Sequence, residues 1–91
     1  MSSSRSERVE ITVLLFAQIR LAAGVDRVDL SVAGPDAPTV KDALAALLEK
    51  HPEIEAHLSS SRVAVGMDYA SLDHPVRDGD ELSLIPPVQG G

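Results

Sequence analysis

Apolar residues at Val9, Ile11, Val13 and Leu15 alternate with other residues, and Leu14 and Phe16 then fall on the opposite phase. Alternation of period two sends successive side chains to opposite faces of a strand. Residues 9–16 are therefore predicted to form a strand that starts half-exposed and becomes buried on both sides, as a central strand does. Residues 17–23 tolerate a helix and stop at Gly24, which suits a turn with positive φ. Alternation returns over 25–32, with Val28, Leu30 and Val32 on one side and Asp29 and Ser31 on the other. That is the pattern of a strand with one wet face, and the two strands are expected to form a hairpin.

Gly34-Pro35-Asp36-Ala37-Pro38 breaks regular structure, because two prolines fix φ and withdraw two backbone donors. The clearest helix follows over 40–50. Thr39 stands at its N-cap with Asp42 three residues on, an acidic variant of the capping box that also suits the helix dipole. Val40, Ala43, Leu44, Leu47 and Leu48 make one apolar stripe to lay on a sheet, and Pro52 ends the helix. Another short helical turn is expected over 53–58. Residues 62–67 read as a third strand with Val63 and Val65 on one face, and 72–76 as irregular. Asp78-Gly79-Asp80 is a turn signal before a last strand over 81–85.

The order β-β-α-β-(β)-β predicts an α+β fold, a mixed sheet of four to five strands packed on one main helix. A ubiquitin-like β-grasp fits, and a split βαβ domain fits the pattern as well. The expected organisation is a disordered N-terminal extension at 1–8, the domain at 9–85 and an extended tail at 86–91.

Composition narrows the function. Ninety-one residues with 44% apolar content suit one globular domain, built from aliphatic side chains because Phe16 and Tyr69 are its only aromatics. A net charge of −6 repels phosphate backbones, so no nucleic-acid partner is expected. The same charge would steer a basic protein toward this surface, although net charge alone selects no partner. Residues 1–8 precede no apolar leader core and no apolar run is long enough to span a membrane, so a cytoplasmic protein without membrane attachment is expected. The chain has no cysteine, and His51, His57 and His74 lack ligand spacing, so no metal site is expected. No phosphate-binding glycine loop is present, so no cofactor is expected on this chain.

The candidate chemistry lies at the end, Pro86-Pro87-Val88-Gln89-Gly90-Gly91. Two prolines cannot continue a ladder and favour a stiff, extended exit. Six residues reach about 20 Å at most, enough to thread into another protein. Gly90 and Gly91 lack side chains and could enter a narrow tunnel, which would then see only a terminal carboxylate. An enzyme with ATP can turn such a carboxylate into an acyl adenylate, and attack by a sulfur nucleophile yields a thiocarboxylate. Sulfur would then be held without any cysteine.

Residues 73–91, DHPVRDGDELSLIPPVQGG, resemble the C-terminal block of the MoaD-like small subunits of molybdopterin synthase, within the MoaD/ThiS sulfur-carrier family. Residues 13–20, VLLFAQIR, resemble that family's first strand and following turn. The resemblance implies a β-grasp fold, activation of Gly91 by an E1-like adenylating enzyme that uses the ATP, and sulfur transfer to a pterin precursor in the large subunit's active site. It implies a non-catalytic carrier in a heterotetramer with that large subunit, with Pro86, Pro87, Val88 and Gln89 as the tail that partners grip. Phe16, Arg20, Tyr69 and Ile85 would belong to the docking surface, with core packing the competing reading for Phe16 and Tyr69 and simple solvation for Arg20. Leu21 stands where that family often has Glu, Gly66 where Asn is common, and Gln89 where Ser or Thr is usual. Sulfur delivery to thiamine, cysteine or tRNA thiolation, and attachment of Gly91 to lysines as a ubiquitin-like modifier, remain alternatives.

Overall fold

The computed structural model describes residues 7–34 and 38–86. Five strands, β1 (Glu7–Leu15), β2 (Arg27–Gly34), β3 (Arg62–Val65), β4 (Asp68–Ala70) and β5 (Glu81–Ile85), form one sheet in the order β2-β1-β5-β3-β4. β1 runs parallel to β5 and antiparallel to β2, and β3 is antiparallel to both β5 and β4. Helices α1 (Ala17–Ala23), α2 (Val40–Lys50) and α3 (Glu55–Leu58), the last entered through a 3-10 turn at Pro52–Ile54, complete the described chain. This is the β-grasp arrangement, because the first and last strands lie side by side at the centre and α2 crosses one face. A split βαβ order is thereby excluded.

The core is aliphatic, as composition required. Val9, Ile11, Val13 and Leu15 of β1 pack with Val28, Leu30 and Val32 of β2 and with Leu82 and Leu84 of β5. Ile19, Val40, Ala43, Leu47 and Ile54 cover them from the helical side. Leu44 and Leu48, also on the expected stripe, are half-buried at its margin. The capping box forms as read, with Asp42 Oδ2 accepting from the Thr39 N–H at 2.9 Å and Thr39 Oγ1 accepting from the Asp42 N–H at 3.4 Å. Gly24 closes α1 at φ 79° through its N–H to the Arg20 carbonyl.

Several expectations need correction. β1 begins at Glu7, so Glu7 and Arg8 belong to the ladder with β2 rather than to an extension, and residues 1–6 lie outside the described residues. β1 is central by hydrogen bonding but not buried on both sides. Arg8 and Glu10 are exposed and Leu14 only half-buried, because nothing described covers that face of the sheet. Phe16 follows the strand as the N-cap of α1 and is 44% exposed, so it is not a core residue. β1 and β2 pair antiparallel as expected, but α1 fills their connection in place of a tight hairpin turn.

The third strand stops at Val65, and Gly66 and Met67 make the turn into β4. Gly66 holds φ at 63°, the left-handed region that Gly and Asn enter most easily, which is a physical reason for Asn to serve at such a turn elsewhere. The Asp78-Gly79-Asp80 turn does more than reverse the chain. Asp78 Oδ1 accepts from the Glu10 N–H at 2.8 Å, and Gly79 N–H donates to the Glu10 carbonyl at 2.7 Å. Thr12 N–H donates to the Asp80 carbonyl at 3.1 Å. The loop thus satisfies the β1 backbone groups that β5 is too short to reach.

Candidate functional site

Because β1 and β5 are parallel, their C-terminal ends share one edge of the sheet. One step beyond the last registered pair, Leu15 with Leu84, the chain reaches Phe16 on one side and Ile85 on the other. Pro86 then begins the tail and is half-buried. Pro87, Val88, Gln89, Gly90 and Gly91 lie outside the described residues. The structure therefore locates the base of the tail.

The helices stand on one face of the sheet, and alternation assigns the opposite face to Leu14, Ser83, Ile85, Arg62, Ala64 and Tyr69. Register lines up Leu14, Ser83, Ala64 and Tyr69 across four strands, with Ile85 opposite Arg62 in the next row toward the tail. Phe16 keeps an extended backbone, φ −129° and ψ 156°, so it continues the phase of Leu14 onto the same face. Of the expected docking residues, Phe16, Ile85 and Tyr69 thus share one open face, Tyr69 being 66% exposed. Arg20 is exposed on α1, adjacent in chain to that edge. Leu14, Ala64 and Arg62 were missed in the sequence; their membership depends on strand order, which has no local signal.

Charge is distributed unevenly over this face. The end away from the tail carries Glu10, Asp29 and Glu81 together with Arg8, whereas the tail end carries Arg27, opposite Leu14, and Arg62. Arg27 Nε lies 3.7 Å from Asp29 Oδ1. Arg62 makes no salt bridge among the described residues and sits with its guanidinium carbon 5.5 Å from the centroid of the Tyr69 ring. Around the tail base this face thus presents the apolar Leu14, Phe16 and Ile85 beside Arg62 and the ion-paired Arg27. On the helical side, a concavity of about 670 Å³ opens between α2 and the β3–β4 pair, lined by Leu44, Leu48, Leu58 and Val63, with Arg62 and Tyr69 at its rim.

Among the described residues, no group of three His, Asp or Glu could hold a metal ion, and no helix is long and apolar enough to cross a membrane. The His51–Glu53 pair, 3.0 Å apart, lies at the end of α2 and belongs to helix termination.

Comparison with known proteins gives the chain its relatives. The profile of the ThiS family matches residues 13–91. The chain is 36% identical to the molybdopterin synthase sulfur carrier subunit of Arabidopsis thaliana, over all of this chain and 93% of that one. The fold matches the crystal structure of small archaeal modifier protein 1 from Haloferax volcanii with a TM-score of 0.78 and 33% identity, over 90% of this chain and 99% of that chain. It also matches a chain in the complex of subunits 1 and 2 of the molybdopterin-converting factor from Helicobacter pylori, with a TM-score of 0.65 and 26% identity, covering 91% of this chain and 100% of that one.

Proposed function

This chain belongs to the ThiS/MoaD family of small, non-catalytic, ubiquitin-like sulfur carriers, and from that membership we propose that it is the sulfur-carrier subunit of a molybdopterin synthase. The observation that carries the reading is that the family match runs through Gly91, so the Pro86-Pro87-Val88-Gln89-Gly90-Gly91 tail belongs to what is shared.

In this reading Gly91 is the C-terminal residue of the working protein. Its carboxylate attacks the α-phosphate of ATP on an E1-like adenylating enzyme, and pyrophosphate leaves. A sulfur nucleophile then adds to the acyl carbon, AMP departs, and a thiocarboxylate remains. The tail next enters the large subunit, where the thiocarboxylate sulfur bonds to the pterin precursor and water cleaves the acyl C–S bond, leaving sulfur on the precursor and returning the carboxylate. ATP is bound by the activating partner, and this chain needs no cofactor, acid or base of its own. Each step depends on how the tail is presented. Pro86 and Pro87 stiffen its exit, Val88 and Gln89 are gripped, and Gly90 and Gly91 pass the narrowest point. Phe16, Ile85, Tyr69 and Arg20 form the surrounding docking surface.

The Helicobacter pylori complex, which pairs subunit 1 with subunit 2, supports a large-subunit partner here, and the family resemblance implies a heterotetramer with it. A cytoplasmic setting accompanies the use of ATP. A second reading, attachment of Gly91 to lysines of target proteins, is favoured by the likeness to a small archaeal modifier protein, which is 39% identical over 85 residues.

Intact mass spectrometry of the full chain, incubated with the adenylating enzyme, ATP and a sulfur source, tests the reading. The expected product is heavier by the replacement of one oxygen with sulfur, and it loses that mass when the large subunit and pterin precursor are added. Failure to acquire sulfur overturns sulfur carriage. Sulfur gained but not passed to the precursor moves the chain to another thiolation pathway, and lysine-linked conjugates support the modifier.

A further inference from the structure

The concavity of about 670 Å³ between α2 and the β3–β4 pair has no role in the steps above. One wall is a face of α2. Lys41, Leu44, Ala45 and Leu48 recur at three- and four-residue spacing, beside the stripe of Val40, Ala43 and Leu47 that covers the sheet. Leu58 of α3 and Val63 of β3 continue the aliphatic lining. Leu44, Leu48 and Leu58 are each only half-buried, so part of that lining faces water. The charge here is cationic on balance. Lys41 and Arg62 line the hollow with Glu55 as the one acid among the described lining residues, although the whole chain carries −6. Both cations border the segment Ser71–Leu72. The Lys41 N–H donates to the Leu72 carbonyl at 3.0 Å, and Arg62 lies across from Ser71, one step beyond the registered pair of Val63 with Ala70. Glu55 opens α3, directly after the 3-10 turn that follows the opposite end of α2.

We propose that this hollow binds an aliphatic monocarboxylate, its chain along Leu44, Leu48, Leu58 and Val63 and its carboxylate at Lys41 and Arg62. Such a site is separate from sulfur carriage and does not depend on it. Its volume is that of a small-molecule site, which spans about 300–1,000 Å³. From Lys41 to Leu48 α2 advances by seven residues, roughly 10 Å at about 1.5 Å each, the reach of an alkyl chain of about eight to ten carbons. Two cations at one end of an aliphatic lining complement a carboxylate and oppose an alkylammonium. A peptide added as a further strand is disfavoured at this edge, because β4 offers only three residues of ladder.

Decanoate is the probe, titrated into the full chain below its micelle-forming concentration and followed by amide NMR shifts and calorimetry. Saturable binding is expected, with shifts concentrated at Leu44, Leu48, Leu58 and Val63. Octanoate, shorter by two methylenes, should bind roughly fifteenfold more weakly, since each buried methylene is worth about fourfold. Lys41→Gln and Arg62→Gln should each weaken decanoate several-fold at low salt, and decyltrimethylammonium should bind far more weakly than decanoate. Ala45→Glu, a helix-compatible change at an exposed lining position, should abolish binding while the thermal midpoint stays near that of the parent. Absence of saturable binding, equal affinity for octanoate and decanoate, equal binding of the ammonium probe, or parent-like affinity in the variant carrying both glutamines overturns the proposal. Shifts centred on Leu14, Ala64 and Ser83 place the probe on the open sheet face and also overturn it. Two further results assign the hollow to another occupant and overturn it as well. One is self-association whose shifts map to the same lining, which makes the occupant a second copy; the other is a change at that lining when residues 87–91 are removed, which makes it the chain's own tail.

Discussion

Ala17 holds φ at 51°, the one described non-glycine residue in the left-handed region, immediately after the extended Phe16. That reversal turns the chain off the end of β1 into α1 and leaves Phe16 standing on the open face. For an L-residue with a Cβ the conformation costs roughly 1–2 kcal/mol, whereas glycine adopts it freely and loses instead some unfolded-state entropy. Ala17→Gly is therefore expected to raise unfolding stability by up to about 1 kcal/mol, and Ala17→Val to lower it by more than that, both read from urea unfolding. Glu53 offers a second residue-scale check. Its pKa lies below its ordinary value, first because a backbone N–H bonds the carboxylate and then because His51 does. A depressed folded pKa contributes stability above the unfolded value and loses it as pH falls through the folded one. The stability difference between the parent and Glu53→Gln should thus shrink as pH drops from about 5 to about 3, and an undiminished difference would contradict this account.

At the scale of elements, α2 was legible from end to end because all its determinants are local. Thr39 and Asp42 mark its start, a stripe of period 3.6 marks its buried face, and Pro52 marks its stop. Thr39→Ala is expected to cost about 1 kcal/mol, and Leu47→Ala, at a fully buried position, about 2–5 kcal/mol in the same unfolding measurement. The turn at 78–80 was legible as a turn, yet its hydrogen bonds to Glu10 span most of the chain and leave no mark on local pattern. Asp78→Ala should cost about 0.5–1.5 kcal/mol by removing the acceptor of the Glu10 N–H, a loss that a purely local turn would not predict. Strand ends were the weaker part of the reading. Glu7 and Arg8 extend β1 only because β2 continues opposite them, and Val65 ends β3 because Gly66 turns it into β4.

For the whole molecule, the proposed division between a folded platform and a working tail has a direct consequence. Removing Gly90 and Gly91 is expected to abolish sulfur acquisition while leaving the thermal midpoint almost unchanged, because a free terminus adds little packing. A marked drop in the midpoint would mean that the tail serves the fold instead. The chain by itself determined the aliphatic core, the capped helix, the strand alternation and the proline–glycine end, because each depends on residues within a few positions of one another. The tertiary structure alone decided which strands are neighbours. Parallel pairing of the first strand with the last carries Phe16 to Ile85, and antiparallel pairing brings in Arg62 and Tyr69. A surface assembled from positions 14 to 85 follows from hydrogen-bond register between distant segments, and periodicity along a single segment carries no information about that register.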